Sequence, residues 1–289
     1  MTGTQRPSAS SQQSETDDTM REVVASALEE LCCTNGPLDA YGPNRSALRF
    51  GGDSRRDAVL TGVLDEYLSM PGEYENQGRC VVVTAGPPGA GKSTEVAGLS
   101  LGCRVIDADA IKDLLISRAL VDGTYDPLLE HVLPDGSPVL PRELAGLFHV
   151  ESTVVAGDAL KVCTQRHEDI IIEGTMRWDG LIDHYVRLLS EEDYRRLEIL
   201  SCELPLLDAQ ARALTRWWEG RTTGADQGLG GRFVPRRHID DLYPKTVDVS
   251  ACRDNALRLF EVAKGQFDEV RLTMSDPGGR EQFVHSAAV

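Results

Sequence analysis

Apolar positions fall into two regimes that change over near residue 79. Before it, Val23, Val24, Leu28 and Leu31 recur at helical spacing within residues 19–33, "TMREVVASALEELCC", which predicts an amphipathic helix. Residues 55–70, "RRDAVLTGVLDEYLSM", predict a second helix that stops before Pro71 and Gly72. The stretch between them, "TNGPLDAYGPNRSALRFGGDS", is rich in turn formers. After residue 79, short β-branched runs alternate with helical stretches. Strands are expected at "CVVVTA", "RVIDA", "DIIIEG", "LEILSCEL" and "DEVRLTMS", with helices near 92–100, 110–121, 142–166, 179–189, 208–219 and 253–264. This alternation predicts an α/β fold: a mostly parallel five-stranded sheet with helices on both faces. The chain divides into a polar tail (1–18) with a disordered composition, a helical N-terminal extension (19–78), one core domain (79–275) and a C-terminal tail (276–289). It contains no internal repeat.

The first expected strand runs into "GPPGAGKST", which is Gly86, Pro87, Pro88, Gly89, Ala90, Gly91, Lys92, Ser93 and Thr94. Gly86 to Ser93 fits G-x-x-x-x-G-K-[ST] between a strand and a helix, the context that motif requires. Glycines let backbone N–H groups fold around a triphosphate without Cβ clashes, and the following helix N-terminus favours anions. Lys92 is the point charge for the β- and γ-phosphates, and the Ser93 hydroxyl is placed to ligate Mg²⁺. A P-loop fold that binds a nucleoside triphosphate, ATP or GTP, is the expectation.

Composition sharpens this. Lys92 is one of only five lysines in a chain of formal charge −16. That balance argues against nucleic-acid and anionic-membrane partners, because a polyanion is repelled at long range. An anionic ligand therefore needs a local basic cluster. The longest apolar runs are a few residues, too short to span a membrane, and the polar N-terminus does not resemble a secretory signal. Seven cysteines without metal-like spacing point to reduced thiols filling a cytoplasmic protein.

Four further constellations bear on chemistry. "RVIDADAIKDLL" puts Asp107 and Asp109 where a strand yields to a helix, on the edge that faces ligand in open α/β sheets. Asp109 either caps the helix starting at Ala110 or accepts a proton from an attacking hydroxyl, and one residue can do both. Asp107 assists Mg²⁺ or holds the turn. "DIIIEGTMRW" ends an apolar strand in Glu173, placed to hold Mg²⁺ or its water shell unless it is simply a polar strand end, and Thr175 and Arg177 follow within reach of substrate. Glu151 falls inside the helical stripe Leu144, Leu147, Phe148, Val154 and Val155, with Asp158 a weaker neighbour on the same face. A carboxylate there needs either a ligand or a structural salt bridge. Finally, Arg212, Arg216, Arg221, Arg232, Arg236 and Arg237 face only Glu219 and Asp226 over residues 212–237. They form the basic cluster an anionic ligand requires, around a glycine-rich loop able to close over nucleotide, or else a solvated face for an acidic partner.

The ordered set "GPPGAGKST", "VIDADAIK", "HVEST", "IIIEGTMR" and the late arginines resembles the zeta-toxin family, kinases of bacterial toxin–antitoxin pairs, over about residues 79–245. The resemblance implies phosphorylation of UDP-N-acetylglucosamine at its 3′-hydroxyl with ATP or GTP and Mg²⁺, and an antitoxin protein as partner. It implies that Lys92 and Ser93 hold triphosphate and metal and that Asp109 is the base. Glu151, Thr175 and Arg177 would contact the nucleotide sugar, and Glu173 would support metal or substrate. Arg216 and Arg232 would stabilise the transferring phosphoryl group, with Arg236 and Arg237 competing for the latter place. Residues 1–78 lie outside the resemblance and are open to three uses: inhibition, partner docking or support of the core. Two rivals remain: a related kinase for another nucleotide or metabolite such as NAD, and a regulatory nucleotide-binding protein.

Overall fold

A computed structural model describes residues 9–72, 74, 78–99, 102–224 and 228–287, with side chains from residue 16 onward. In chain order the elements are α1 (Ala9–Leu31), α2 (Ser46–Arg49), α3 (Ser54–Leu68), β1 (Cys80–Ala85), α4 (Lys92–Ala97), β2 (Arg104–Asp107), α5 (Ala108–Asp122) and α6 (Asp126–Leu129). A 3₁₀ helix (Pro141–Phe148) leads into α7 (His149–Gln165), followed by β3 (Ile170–Glu173), α8 (Gly180–Glu191), β4 (Arg196–Cys202) and α9 (Leu206–Thr223). The chain ends with α10 (Arg236–Asp240), α11 (Ala251–Ala263), β5 (Glu269–Asp276) and β6 (Gly279–Ser286).

The sheet has six strands in the order β2-β3-β1-β4-β5-β6. The first five are parallel and β6 returns antiparallel to β5. Segment 276–289, expected to be a tail, supplies this sixth strand. Its side chains are almost all exposed, so the strand carries little of the hydrophobic alternation by which strands are recognised. Residues 9–18, expected to be disordered, belong to α1, and residues 1–8 lie outside the described residues.

Alternation along the strands sends successive side chains to opposite faces. Val81 and Val83 of β1, Ile170 and Ile172 of β3 and Ile199 of β4 join the larger core cluster on one face. Val82, Ile171 and Leu200 meet Val96 of α4 on the other. The larger cluster also contains Val24, Leu28, Val63 and Tyr67, so the hydrophobic core runs across position 78 without a break. Leu28 is fully buried, and burial of such a side chain contributes roughly 1.5–3 kcal/mol.

One short polar signal and the strand order set the frame of the site. The Asp107 side chain accepts from the Asp109 N–H and starts α5 directly after β2. Because β1 lies between β3 and β4, the chain crosses to opposite sides of it, and such switch points open a crevice at the carboxyl ends of the strands. The phosphate-loop motif follows β1, Asp107 ends β2 and Glu173 ends β3. All seven cysteines are free, and no helix among the described residues is long and apolar enough to cross a membrane.

Candidate active site

The loop from Gly86 to Gly91 wraps tightly because its glycines adopt backbone angles closed to other residues. Gly86 sits at φ 138°, and a Cβ there would lie 2.0 Å from the Cys202 carbonyl oxygen at the end of β4. Gly91, at φ 90°, is the N-cap of α4. The Gly86 N–H donates to the Thr175 carbonyl (3.1 Å), tying the loop to the segment after β3. Lys92 Nζ folds back over the loop and donates to the carbonyls of Gly86 and Pro87, both at 2.9 Å. Burial pushes its pKa down, the response of an ammonium short of water.

Three oxygen-bearing side chains gather next to it. Ser93 Oγ donates to Glu173 Oε1 at 2.7 Å, and Asp107 and Glu173 are register partners across β2 and β3. Burial, and then the nearby charge of Asp109, raise the Asp107 carboxyl to about 6. Among the described residues no cluster of His, Cys, Asp and Glu could hold a metal by itself. Mg²⁺ in phosphate sites takes most of its ligands from phosphates and water, with one or two from protein oxygens, and Ser93 with Glu173 and Asp107 fits that need.

Asp109 stands in the first turn of α5. The cap of this helix is Asp107, which frees the Asp109 carboxylate from that task. Lys112 Nζ donates to Asp109 Oδ1 (2.8 Å) and Arg232 Nη1 lies 3.1 Å from Oδ2. Arg232 Nη2 donates to the Asp109 carbonyl (3.0 Å) and to Asp113 Oδ1 (2.9 Å). Arg142 holds the same Asp113 from the other side, at 2.8 Å. Burial pushes the Asp109 carboxyl up, but Lys112 and Arg232, with Arg216 beyond them, outweigh it and hold the group at about 2.

The six arginines divide sharply. Arg212 Nη1 reaches toward the Gly89 carbonyl, so α9 lies along the phosphate loop. One turn on, exposed Arg216 has no ion pair among the described residues, while its charge acts on both Lys92 and Asp109. Arg221 turns the other way and is buried against Asp135 and Glu143 (2.9 Å each), where Trp217 also donates to Glu143. Arg236 pairs with Glu22, and Arg237 with Asp39 and the Cys32 carbonyl. Arg216 and Arg232 thus converge on the loop and Asp109. Residues 225–227 of the glycine-rich loop lie outside the described residues. Past them Gly231 packs so closely on α9 that a Cβ would lie 2.0 Å from the Trp217 carbonyl oxygen.

On α7, both Glu151 carboxylate oxygens go to the Arg56 guanidinium of α3, one at 2.8 Å, with the Glu151 side chain buried and that of Arg56 largely covered. Thr175 Oγ1 accepts from the Arg177 N–H (3.3 Å), and Asn255 Nδ2 holds the Met176 and Arg177 carbonyls at 2.7 and 2.9 Å. Arg177 itself pairs at the surface with Asp241 (3.2 Å). Beside Glu173 opens a cavity of about 520 Å³, lined by Ile106, Ile172, Ala156 and Gly157 and rimmed by exposed Trp178.

Several residues of this site were not found from sequence. Lys112 and Asp113 lie one turn beyond Asp109 on α5, a spacing that the sequence does display. His149 and His238 both lie under the charge of Arg177; burial and then neighbouring positive charge push both imidazoles down, His149 to about 4. Nothing in the sequence pairs them, nor Arg56 with Glu151.

No family model matches the chain, and no curated protein matches it. Solved structures to which the chain is similar include two described as follows. One, from a molecular and structural characterization of the PezAT chromosomal toxin–antitoxin system of the human pathogen Streptococcus pneumoniae, is 13% identical over 77% of each chain, with a TM-score of 0.48. The other, AvrRxo1-ORF1:-ORF2 with ATP, is 15% identical over 98% of this chain and 73% of that one, with a TM-score of 0.45.

Proposed function

We propose that the chain is a kinase that transfers the γ-phosphoryl group of ATP or GTP to a hydroxyl of a small-molecule acceptor. One observation carries this: an ionised carboxylate, Asp109, stands two residues past the end of β2, paired with Lys112 and Arg232 and under the charge of Arg216, which has no ion pair among the described residues. A module that only bound nucleotide would have no need of a carboxylate and two arginines where an acceptor meets the γ-phosphate.

The residues divide the work as follows. The loop amides and Lys92 grip the triphosphate, for which Lys92 exchanges its bonds to the Gly86 and Pro87 carbonyls. Ser93 and Glu173, with Asp107, would hold Mg²⁺, which when bound neutralises charge on the β- and γ-phosphate oxygens. Arg216 and Arg232 stabilise the charge of the transferring group. Asp109 orients the acceptor hydroxyl and takes its proton as the new O–P bond forms and the bond to the leaving diphosphate breaks. A carboxylate held at about 2 is a weak base; engagement of Arg232 by the arriving phosphoryl group loosens that hold.

The motif resemblance supports UDP-N-acetylglucosamine, phosphorylated at its 3′-hydroxyl, as acceptor. It also supports a toxin role restrained by an antitoxin in the cytoplasm. Thr175, Arg177 and Glu151 would then face the nucleotide sugar. The test is purified protein with Mg-ATP or Mg-GTP and a panel of acceptors including this sugar and NAD, read by mass spectrometry. A gain of one phosphate on the sugar is expected. Gain on another acceptor overturns the substrate, and gain on none overturns the kinase reading.

A further inference from the structure

β2 is the edge strand of the sheet, and its outer side presents backbone groups that no other strand among the described residues pairs. Two of these, the Val105 carbonyl and the Asp107 N–H, meet the same atom: Tyr67 Oη of α3, which donates to the first at 2.8 Å and accepts from the second at 2.9 Å. Tyr67 is 5% exposed, and burial pushes its phenol up to about 12, so it keeps the proton it donates. The bonds then run on without a gap, because Asp107 Oδ1 accepts from the Asp109 N–H at 2.7 Å. A side chain of the N-terminal segment is thus linked through one residue to the carboxylate-bearing turn of the site. The same helix is pinned on either side of this bridge. Arg104 of β2 donates to the Leu68 carbonyl (3.3 Å), Arg118 of α5 pairs with Glu66 (2.9 Å), and Arg56 pairs with Glu151.

We propose that Tyr67 is a positioning residue for Asp109, and that the segment before residue 79 is a working part of the site rather than a restraint upon it. The proposal rests on the kinase reading for its kinetic half and on the hydrogen bonds alone for the other half. Tyr67 binds the outer edge of β2 and so takes no place of phosphate or acceptor, whereas Arg56 of the same helix engages Glu151 in a separate contact.

The test is Tyr67→Phe in the full chain, which keeps the ring in the core and removes only the bridging oxygen. Per folded molecule, kcat is expected to fall about tenfold or more, since small misplacements of reacting groups cost that much. The KM for ATP should stay unchanged, and native-state hydrogen exchange at the Asp107 amide should accelerate. A purely structural role would lower the unfolding midpoint and leave kcat and its pH profile intact. Tyr74→Phe serves as control, because among the described residues the Tyr74 hydroxyl bonds to the Met70 carbonyl at the surface (3.3 Å), and should change none of these. An unchanged kcat overturns the proposal, and a raised kcat marks the segment as a restraint. If the wild-type chain modifies no acceptor, the kinase reading fails by itself. Asp107 exchange that Tyr67→Phe leaves unchanged overturns the positioning claim in either case.

Discussion

The pair Arg56–Glu151 offers the sharpest energetic test, because it joins the N-terminal segment to the site helix across a dry interface. The side chains are 11% and 5% exposed, and no other partner serves the Glu151 carboxylate among the described residues. Arg56→Met keeps most of the aliphatic stem, which lies over the Phe50 ring, and removes the charge. Glu151 is then a buried carboxylate with nothing to answer it, a change that costs roughly 3–5 kcal/mol. Replacing both residues, as in Arg56→Met with Glu151→Met, removes the charge and its need together, and should return stability to within about 1 kcal/mol of the wild type. Urea unfolding of the two single variants and the double variant closes the cycle. A loss below about 1 kcal/mol in Arg56→Met, or a double variant no better than the single, would refute the reasoning. The double variant also settles the role the resemblance assigns to Glu151. If it folds and still binds acceptor, Glu151 serves the fold, whereas if it folds and loses acceptor affinity, Glu151 is part of the acceptor site.

Other predictions follow from the same geometry. Asp107 titrates near 6 in the folded chain against an ordinary 3.8, so the folded chain holds a proton there that the unfolded chain has released, and stability falls as pH rises through that window. Asp107→Asn, which can still cap α5, should therefore be more stable than the wild type above pH 6 and show no gain below pH 3.8, as read by denaturation at both pH values. Arg216→Met should lower kcat by about 10²-fold or more and leave the unfolding midpoint unchanged, since Arg216 has no ion pair among the described residues. Arg232→Met should lower both, because Arg232 also ties Asp109 to Asp113.

What sequence made legible was local. The phosphate loop lies within nine consecutive residues, and Asp107 and Glu173 each end an apolar run, so their place at strand ends, with Asp109 two residues on, follows from neighbours a few positions away. Where contacts span long separations, the pattern is silent. Tyr67 meets Asp107 forty residues away and Arg56 meets Glu151 ninety-five away, and neither partner carries a mark of the other. The helical stripe did show that Glu151 required a partner, because an acid among core leucines is a contradiction in need of an answer. It did not show whether ligand or protein supplied it. The strand β6 escaped for the opposite reason: "GREQFVHS" is held by its ladder to β5 and buries little, so hydrophobic alternation had nothing to report. The six late arginines look equivalent in sequence, and only the fold separates Arg216 and Arg232 at the site from buried Arg221 and from Arg236 and Arg237, which engage the N-terminal segment.

The central claim is phosphoryl transfer with Asp109 as the proton acceptor, and Asp109→Asn tests it most directly. Turnover of the acceptor and affinity for Mg-ATP are measured side by side in the wild type and the variant. The account predicts that turnover falls by about 10²–10⁴-fold while nucleotide affinity is retained, the range that general-base catalysis contributes. Undiminished phosphoryl transfer in the variant would contradict it.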